Sequence, residues 1–409
     1  MKIRANVRIF FTRYFNFVFM FANNYLQKNN NKALIDEAPQ SETGIIVVIP
    51  CLSEPEIIHT LESVARCCLP RTKAEVIILI NHSETADSKT KTFNKKTKHE
   101  IDCWIKKQAN PIRFYATDPI PLKKKWAGAG LARKKGMDEA VRRFSMLNKK
   151  DGIIISLDAD TLVEENYLAT IEKHFSDHPR DVGATIAFEH RKKGLNTRQL
   201  KGICLYEKYL TYYKNALKFT GYPYAMHTIG SAFAVKAEAY VKRGGMNRRQ
   251  AGEDFYFLQH LVLLGNVGEI TTTTVHPSAR LSERVPFGTG PILKKWMNGE
   301  EDLTQTYNFK AFGDLKLLFD ARDTFYKIEK TSFRQMLDNF PNSISDFIKK
   351  DSFENEIADL NRNCSSLQSF QNRFFQKFNA FKILKYLNFA HEKYYSKVNM
   401  EKQERLIQS

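Results

Sequence analysis

The sequence has no run of about 20 consecutive apolar residues, so nothing in it reads as a membrane-spanning helix. The nearest approach, Ile9 to Ala22, is broken by Arg13 and Asn16. It also lacks the small-residue cleavage site of a secretory signal. Cysteine is scarce and irregular: Cys51, Cys67, Cys68, Cys103, Cys204 and Cys364 form no CxxC pair and no zinc pattern. That excludes a disulfide scaffold and favours reduced thiols and a cytoplasmic location. Acid is in deficit, with 45 Asp and Glu against 63 Lys and Arg, a formal charge of +18. Such an excess favours anionic partners: nucleotides, nucleic acid, acidic membranes or acidic glycans. Aromatics are not scarce. The 30 Phe and 17 Tyr can build a core, which excludes large-scale disorder. At roughly 150 residues per domain, the 409 residues allow two or three domains.

The hydrophobic pattern predicts an α/β fold. Ile45 to Ile49 and Val76 to Ile80 are continuous apolar, largely β-branched runs, and Ile153 to Leu157 is a third, interrupted only by Ser156. Such runs suit strands buried on both faces of a parallel sheet. Ile112 to Tyr115 is a weaker strand. Helical spacing over Glu56 to Cys68 and Gly128 to Arg143 alternates with them, the order expected of a mostly parallel sheet flanked by helices. From about Phe309 the β-branched runs vanish and helical apolar spacing takes over. The predicted organisation is a basic aromatic segment (1–40), an α/β domain (41–308) and a helical C-terminal region (309–409). In the first segment Arg4, Arg8 and Arg13 stand among Phe10, Phe11, Phe15, Phe17, Phe19 and Phe21. Two readings remain open there: an interfacial helix on an anionic membrane, or a helix packed on the body of the protein.

Three constellations could carry chemistry. Asp158-Ala159-Asp160 follows the third strong strand, and ligands of open α/β sheets bind beyond the carboxyl ends of strands. Two carboxylates there suit a divalent cation bridging a diphosphate. A plain strand-to-helix cap, with Asp160 or Thr161 as N-cap, is the structural alternative. Gly244-Gly245 is followed by Gly252-Glu253-Asp254, where the acids either serve a ligand or favour the first turn of a helix. Gly128-Ala129-Gly130, after Lys123, Lys124 and Lys125, would let backbone approach a phosphate, or is merely a small-residue helix entry beside a solvated face.

Together, in this order, these residues resemble a family 2 glycosyltransferase of GT-A fold, over about Gly44 to Gly290. Val48 to Glu54 is similar to that family's first strand and turn. Gly128 to Gly136 resembles its glycine-containing helix entry, Asp158-Ala159-Asp160 its DxD, and Gly244-Gly245 with Glu253-Asp254 its acceptor-side GG and ED motifs. Leu52, Ser53, Asn81, His82 and Lys134 depart from the pattern. All but Lys134 stand at the expected base pocket, so the nucleotide is left open. The resemblance implies transfer of a sugar from a nucleoside-diphosphate donor to an acceptor hydroxyl on a glycan or lipid-linked acceptor. It implies a hexosyltransferase-type enzyme of envelope polysaccharide or glycolipid synthesis. Pro50, Glu54, Asn81, Gly128, Arg133 and Asp158 would bind the donor nucleotide. Asp158 and Asp160, with His276 as a further candidate, would hold Mg²⁺ or Mn²⁺. Asp254 would be the general base, with Glu253 orienting the acceptor or capping the helix. One base and direct displacement imply inversion. Arg133 or Lys125 could assist at the diphosphate, and Arg280 and Arg284 stand where a closing loop carries arginines. The Tyr206, Tyr209, Tyr212 and Tyr213 run suits sugar stacking or core.

Two rival functions remain. A sugar nucleotidyltransferase would carry a glycine-rich, arginine-containing loop after the first strand, where this chain has Cys51 to Pro55. A basic nucleic-acid-binding protein fits the charge, but no such module is recognisable, so the expectation is no nucleic-acid partner. A peripheral place on the inner face of an anionic membrane is the expectation for the N-terminal segment.

Overall fold

The computed structural model describes residues 21–29, 32–250, 252–281 and 288–403. The strongly basic N-terminal segment expected to meet a membrane lies outside the described residues up to position 20, as does Arg284.

The strands are β1 (Thr43–Cys51), β2 (Lys73–Ser83), β3 (Arg113–Ala116), β4 (Ile120–Leu122), β5 (Ile153–Ser156), β6 (Leu162–Val163), β7 (Gly183–Phe188), β8 (Phe233–Lys236) and β9 (Val267–His276). They form one sheet in the order β3-β2-β1-β5-β8-β7-β9-β6, with β4 also paired to β2. Pairings among β1 to β5 are parallel, as is β7 with β9. The pairings β5–β8, β7–β8 and β6–β9 are antiparallel. The mixed, mostly parallel sheet agrees with the sequence pattern.

The reason for the strand runs is visible in their alternation. Ile45, Val47, Ile49, Val76, Ile78 and Ile80 enter one core, on one side of the sheet. Ile46, Val48 and Ile77 enter a second, with Met137, Ala140, Val141 and Phe144. Because successive side chains point to opposite faces, a strand covered on both sides must be apolar at every position.

The helices of the α/β part are α1 (Asn23–Lys28), α2 (Ile57–Ala65), α3 (Ser88–Lys107), α4 (Ala129–Met146), α5 (Tyr167–Asp177), α6 (Thr197–Phe219), α7 (Ala237–Lys242), α8 (Glu253–Leu261) and α9 (Thr289–Asn298). The second core lies under α4. The C-terminal region is helical as expected: α10 (Phe309–Asp320), α11 (Lys330–Leu337), α12 (Asn342–Asp351), α13 (Phe353–Asn363), α14 (Leu367–Lys377) and α15 (Ala380–Lys393). Its phenylalanines, among them Phe312, Phe319, Phe325, Phe353, Phe374 and Phe378, make a third core that also takes in Tyr212, Ala216 and Leu217 of α6. The helical region is therefore fused to the α/β part through α6. Phe381 of α15 also stacks on Tyr256 of α8, ring centroids 4.2 Å apart.

At the N-terminal edge, Ala22 and Tyr25 are buried in the second core. The Tyr25 hydroxyl donates to Asp138 at 2.6 Å and accepts from Lys134 at 2.8 Å. The last turn before position 30 is thus part of the body. Among the described residues no helix is long and apolar enough to cross a membrane.

Candidate active site

The parallel and antiparallel pairings bring one set of chain ends to a single edge of the sheet. They are the C-terminal ends of β1, β2, β5, β7 and β9, and the segment entering β8. A cleft of about 390 Å³ opens there. It is lined by Pro50 of β1 and Glu54 beyond it, Asn81 of β2, Asp158 and Asp160 after β5, His190 after β7, Thr228 to Ser231 before β8, and Pro277, Ser278 and Arg280 after β9. Gly128 and Arg133 reach it from α4, Glu253 and Asp254 from α8, and Gly288 to Pro291 from the start of α9. Pro50, Glu54, Asn81, Gly128, Arg133, Asp158, Asp160, Glu253 and Asp254 thus line one cleft.

The DxD turn is not a helix cap. Thr161 N–H closes the turn onto the Asp158 carbonyl at 3.1 Å, and the chain continues into β6. The next helix begins only at Tyr167. Asp158 and Asp160 are therefore presented by a strand-end turn. Glu253 and Asp254 do open α8, yet the helix start is capped by no side chain. Both readings of that pair hold: they are first-turn acids, and they line the cleft.

Two arginines tie the acids together. The buried Arg133 guanidinium donates to Asp158 at 2.5 Å and, through its other terminal nitrogen, to Glu253. Arg280 forks onto Glu54 and also lies 3.2 Å from Asp160. Burial alone would lower Arg133, but Asp158, Glu253 and Asp254 outweigh it and hold it charged. Burial pushes Glu253 up to about 7, against the opposing pull of Arg133. Asp254 is raised for the same reason, again with Arg133 opposing. Its Oδ1 accepts from the Phe255 N–H at 2.7 Å. A carboxylate raised towards neutrality can take a proton near physiological pH, whereas an ordinary exposed one is a weak base there.

Gly128, which lines the cleft, and Gly130 both permit a close backbone approach. A Cβ on Gly130 would stand 2.2 Å from the Arg249 carbonyl oxygen, and one on Gly128 would stand 2.7 Å from that of Gln250. The missing side chains let the α4 N-terminus press against the loop that leads into α8. This sets Arg133 against Glu253.

Other expectations move. His276 is not part of the cleft: its Nδ1 is 3.1 Å from the Glu189 carbonyl and its Nε2 3.7 Å from Glu164. The reason is register, because His276 pairs with Leu162 on the β6–β9 edge. Lys125 does not line the cleft and sits 5.5 Å from the Trp126 ring centroid. Lys134 points the other way, to Asp138 and Tyr25. Gly244 and Gly245 lie at a second cavity. The tyrosine run divides. Tyr206 lines the cleft, while Tyr212 is buried and donates to the Tyr307 carbonyl at 2.7 Å.

Sequence reasoning missed His190 and Ser231. His190 Nδ1 is 3.0 Å from Glu207 and Nε2 is 2.9 Å from Thr289, at the mouth of α9. The Ser231 hydroxyl is buried in the wall without a hydrogen-bond partner among the described residues. Nothing in the local sequence around either residue marks it.

No family model matches this chain, and no curated protein sequence matches it. Among solved structures, the chain is similar to S. aureus TarS 1-349 in complex with UDP-GlcNAc, at 12% identity and TM-score 0.41, over 81% of this chain and 91% of that one. It is also similar to GalNAc-T7 with UDP, GalNAc and Mn²⁺, at 13% identity and TM-score 0.39, over 83% of this chain and 58% of that one.

Proposed function

We propose that this chain is a GT-A-type glycosyltransferase that moves a sugar from a nucleoside-diphosphate donor to an acceptor hydroxyl. The observation that carries the reading is the convergence of two acid pairs on one cleft. Asp158 and Asp160 come from a strand end, and Glu253 and Asp254 from a helix start, with Arg133 between them.

The donor set fits a hard divalent cation, Mg²⁺ or Mn²⁺. Among the described lining residues, the carboxylates Glu54, Asp158, Asp160, Glu253 and Asp254 outnumber the guanidiniums Arg133 and Arg280. A diphosphate entering that field needs further positive charge. No cluster of three His, Cys, Asp or Glu forms among the described residues, so Asp158 and Asp160 would hold the ion and donor oxygens would complete its shell. When bound, the cation supplies Lewis-acid stabilisation of the departing diphosphate.

The chain's own residues do the rest. Arg133 is held charged beside Asp158 and orients that carboxylate. Pro50, Glu54, Asn81 and Gly128 form the donor wall. Asp254, raised by burial, takes the proton of the acceptor hydroxyl. Glu253, engaged by Arg133, positions the acceptor side. Attack opposite the leaving diphosphate then inverts the anomeric centre. On this reading 41–308 is the catalytic domain and 309–409 is a helical region that buttresses α6 and α8. All six cysteines are unpaired, which suits the proposed cytoplasmic site of action.

The test is a donor screen on purified protein with Mn²⁺ and a panel of UDP-, GDP- and dTDP-sugars. Saturable binding of at least one, with nucleotide release, is expected. Failure of every sugar nucleotide, together with salt-sensitive RNA binding, favours the nucleic-acid alternative.

A further inference from the structure

Beyond the cleft, the loop joining α7 to α8 walls a second cavity of about 260 Å³, lined by Arg243, Gly244, Gly245, Met246, Asn247, Phe257 and His260. Its one charged lining residue is a cation, Arg243. Arg243 Nε is buried and has no hydrogen-bond partner among the described residues. Next along the loop, the Arg249 guanidinium stands over the Tyr256 ring, 3.6 Å from its centroid, and Arg248 stands 5.4 Å from that of Trp126. Arg133, Arg143, Arg191, Arg280 and Arg334 each pair with a carboxylate. Among the described residues Arg243, Arg248 and Arg249 form no ion pair. Burial, Arg243 and Arg249 together hold His260 below its ordinary range, so the ring feels the uncompensated positive charge.

A guanidinium in a cavity wall with a second, Arg249, close enough to act on the lining His260 makes a candidate anion site. Their planar forks match phosphate oxygens two at a time, which an ammonium cannot do. The position relative to the cleft adds meaning. Asn247, which lines the cavity, donates to the Glu253 carbonyl at 3.4 Å, so the cavity adjoins the Glu253–Asp254 part of the cleft. A group anchored in the cavity would therefore approach from the side on which the base lies.

We infer that the Arg243–His260 cavity, with Arg249 at its rim, is a phosphate-binding subsite that anchors a phosphate-bearing acceptor. This rests on the transferase reading for the word acceptor, but not for the anion site itself. The same chemistry could come from a soluble phosphodiester chain or from a phospholipid headgroup.

The test uses the full-length protein and two probes: sn-glycerol 3-phosphate titrated by calorimetry, and vesicles of phosphatidylglycerol against phosphatidylcholine by co-sedimentation. Arg243→Gln/Arg249→Gln should weaken whichever probe binds by about tenfold or more, the scale of two lost charge-assisted contacts. Arg249→Gln, at an exposed position, should weaken it by a smaller factor and guards against misfolding of the double variant. Binding of glycerol phosphate identifies a soluble anion; selective binding of the anionic vesicles alone identifies a headgroup. Either supports the subsite if the variants weaken it. Variants that bind as tightly as the unmutated protein, or no binding of either probe, overturn it. Sugar-nucleotide binding to the unmutated protein is measured separately, so a failed donor screen sinks the transferase reading without deciding the anion site.

Discussion

Removing the Arg133 guanidinium should expose how the cleft is held together. In Arg133→Met the side chain keeps its bulk and loses its charge. The Arg133 and Glu253 side chains are 3% and 4% exposed, while Asp158 is 38% exposed. The Asp158 arm is therefore screened by solvent and contributes little. The Glu253 arm is fully desolvated, and breaking one partner of a buried pair costs about 3–5 kcal/mol. The loss depends on pH in a definite direction. Glu253 in the folded protein already titrates at about 7, above its ordinary 4.5, chiefly through burial and with Arg133 opposing. Without Arg133 it rises further. A carboxyl raised on folding binds its proton more tightly in the folded state. Its contribution is most favourable below the unfolded value, and stability is lost as pH rises through the folded one. Arg133→Met should thus be destabilised by about 3–5 kcal/mol at pH 8 and by clearly less at pH 5. Arg133→Met/Glu253→Gln should recover part of the loss at pH 8. Guanidinium unfolding of the three proteins at both pH values measures this. An Arg133→Met loss of equal size at both pH values, or no loss at pH 8, would refute the reasoning.

Asp160→Asn should abolish the metal-dependent thermal shift given by UDP or GDP with Mn²⁺ while the fold survives; an undiminished shift would sink the metal assignment. Asp254→Asn should cut turnover by roughly 10²-fold or more with donor affinity nearly unchanged. A near-normal rate in it, beside an inactive Glu253→Gln, would move the base by one residue. Gly130→Ala should destabilise the protein and loosen the α8 entry, because its Cβ would meet the Arg249 carbonyl oxygen at 2.2 Å; unchanged melting would show that the loop gives way without cost. Tyr25→Phe leaves Asp138 and Lys134 without the hydroxyl between them, at about 1–3 kcal/mol, which a melting curve detects.

The layered part of the fold was legible because burial on both faces leaves an unmistakable mark. Ile45 to Ile49, Val76 to Ile80 and Ile153 to Leu157 are apolar at every position but Ser156, and all three are adjacent strands of the sheet. β7, β8 and β9 were not read as strands. β9 carries Thr271 to Thr274 and only intermittent burial, so it lacks that mark. The candidate site divides the same way. Acids beyond a strand end or before an apolar helix are local signals, and Asp158, Asp160, Glu253 and Asp254 were found. Arg133 was identified, but its bridging role needs a contact 120 residues away. The Arg280–Glu54 fork spans 226 residues, and His190 enters the cleft only because β7 lies parallel to β9. No spacing in the chain encodes such pairings. His276, a metal candidate by resemblance alone, lies outside the cleft for the converse reason: the register of β9 with β6 places it beside Glu164 and the Glu189 carbonyl.

The excess of positive charge takes on a different meaning once the cleft is seen. The protein carries +18 overall, yet carboxylates outnumber cations among the described residues that line its main cleft. The basic surplus therefore does not serve the donor cleft directly, and a bare basic surface is a poor account of a molecule whose central feature is acidic. Charge of opposite sign is sorted to adjoining places: acids in the cleft, unpaired arginines one loop away. A nucleic-acid-binding groove would place its cations along the concavity itself. On the proposed reading the division has a use: a metal-complexed donor would meet the acidic cleft and an anionic acceptor the arginines beside it, each facing its own counter-charge.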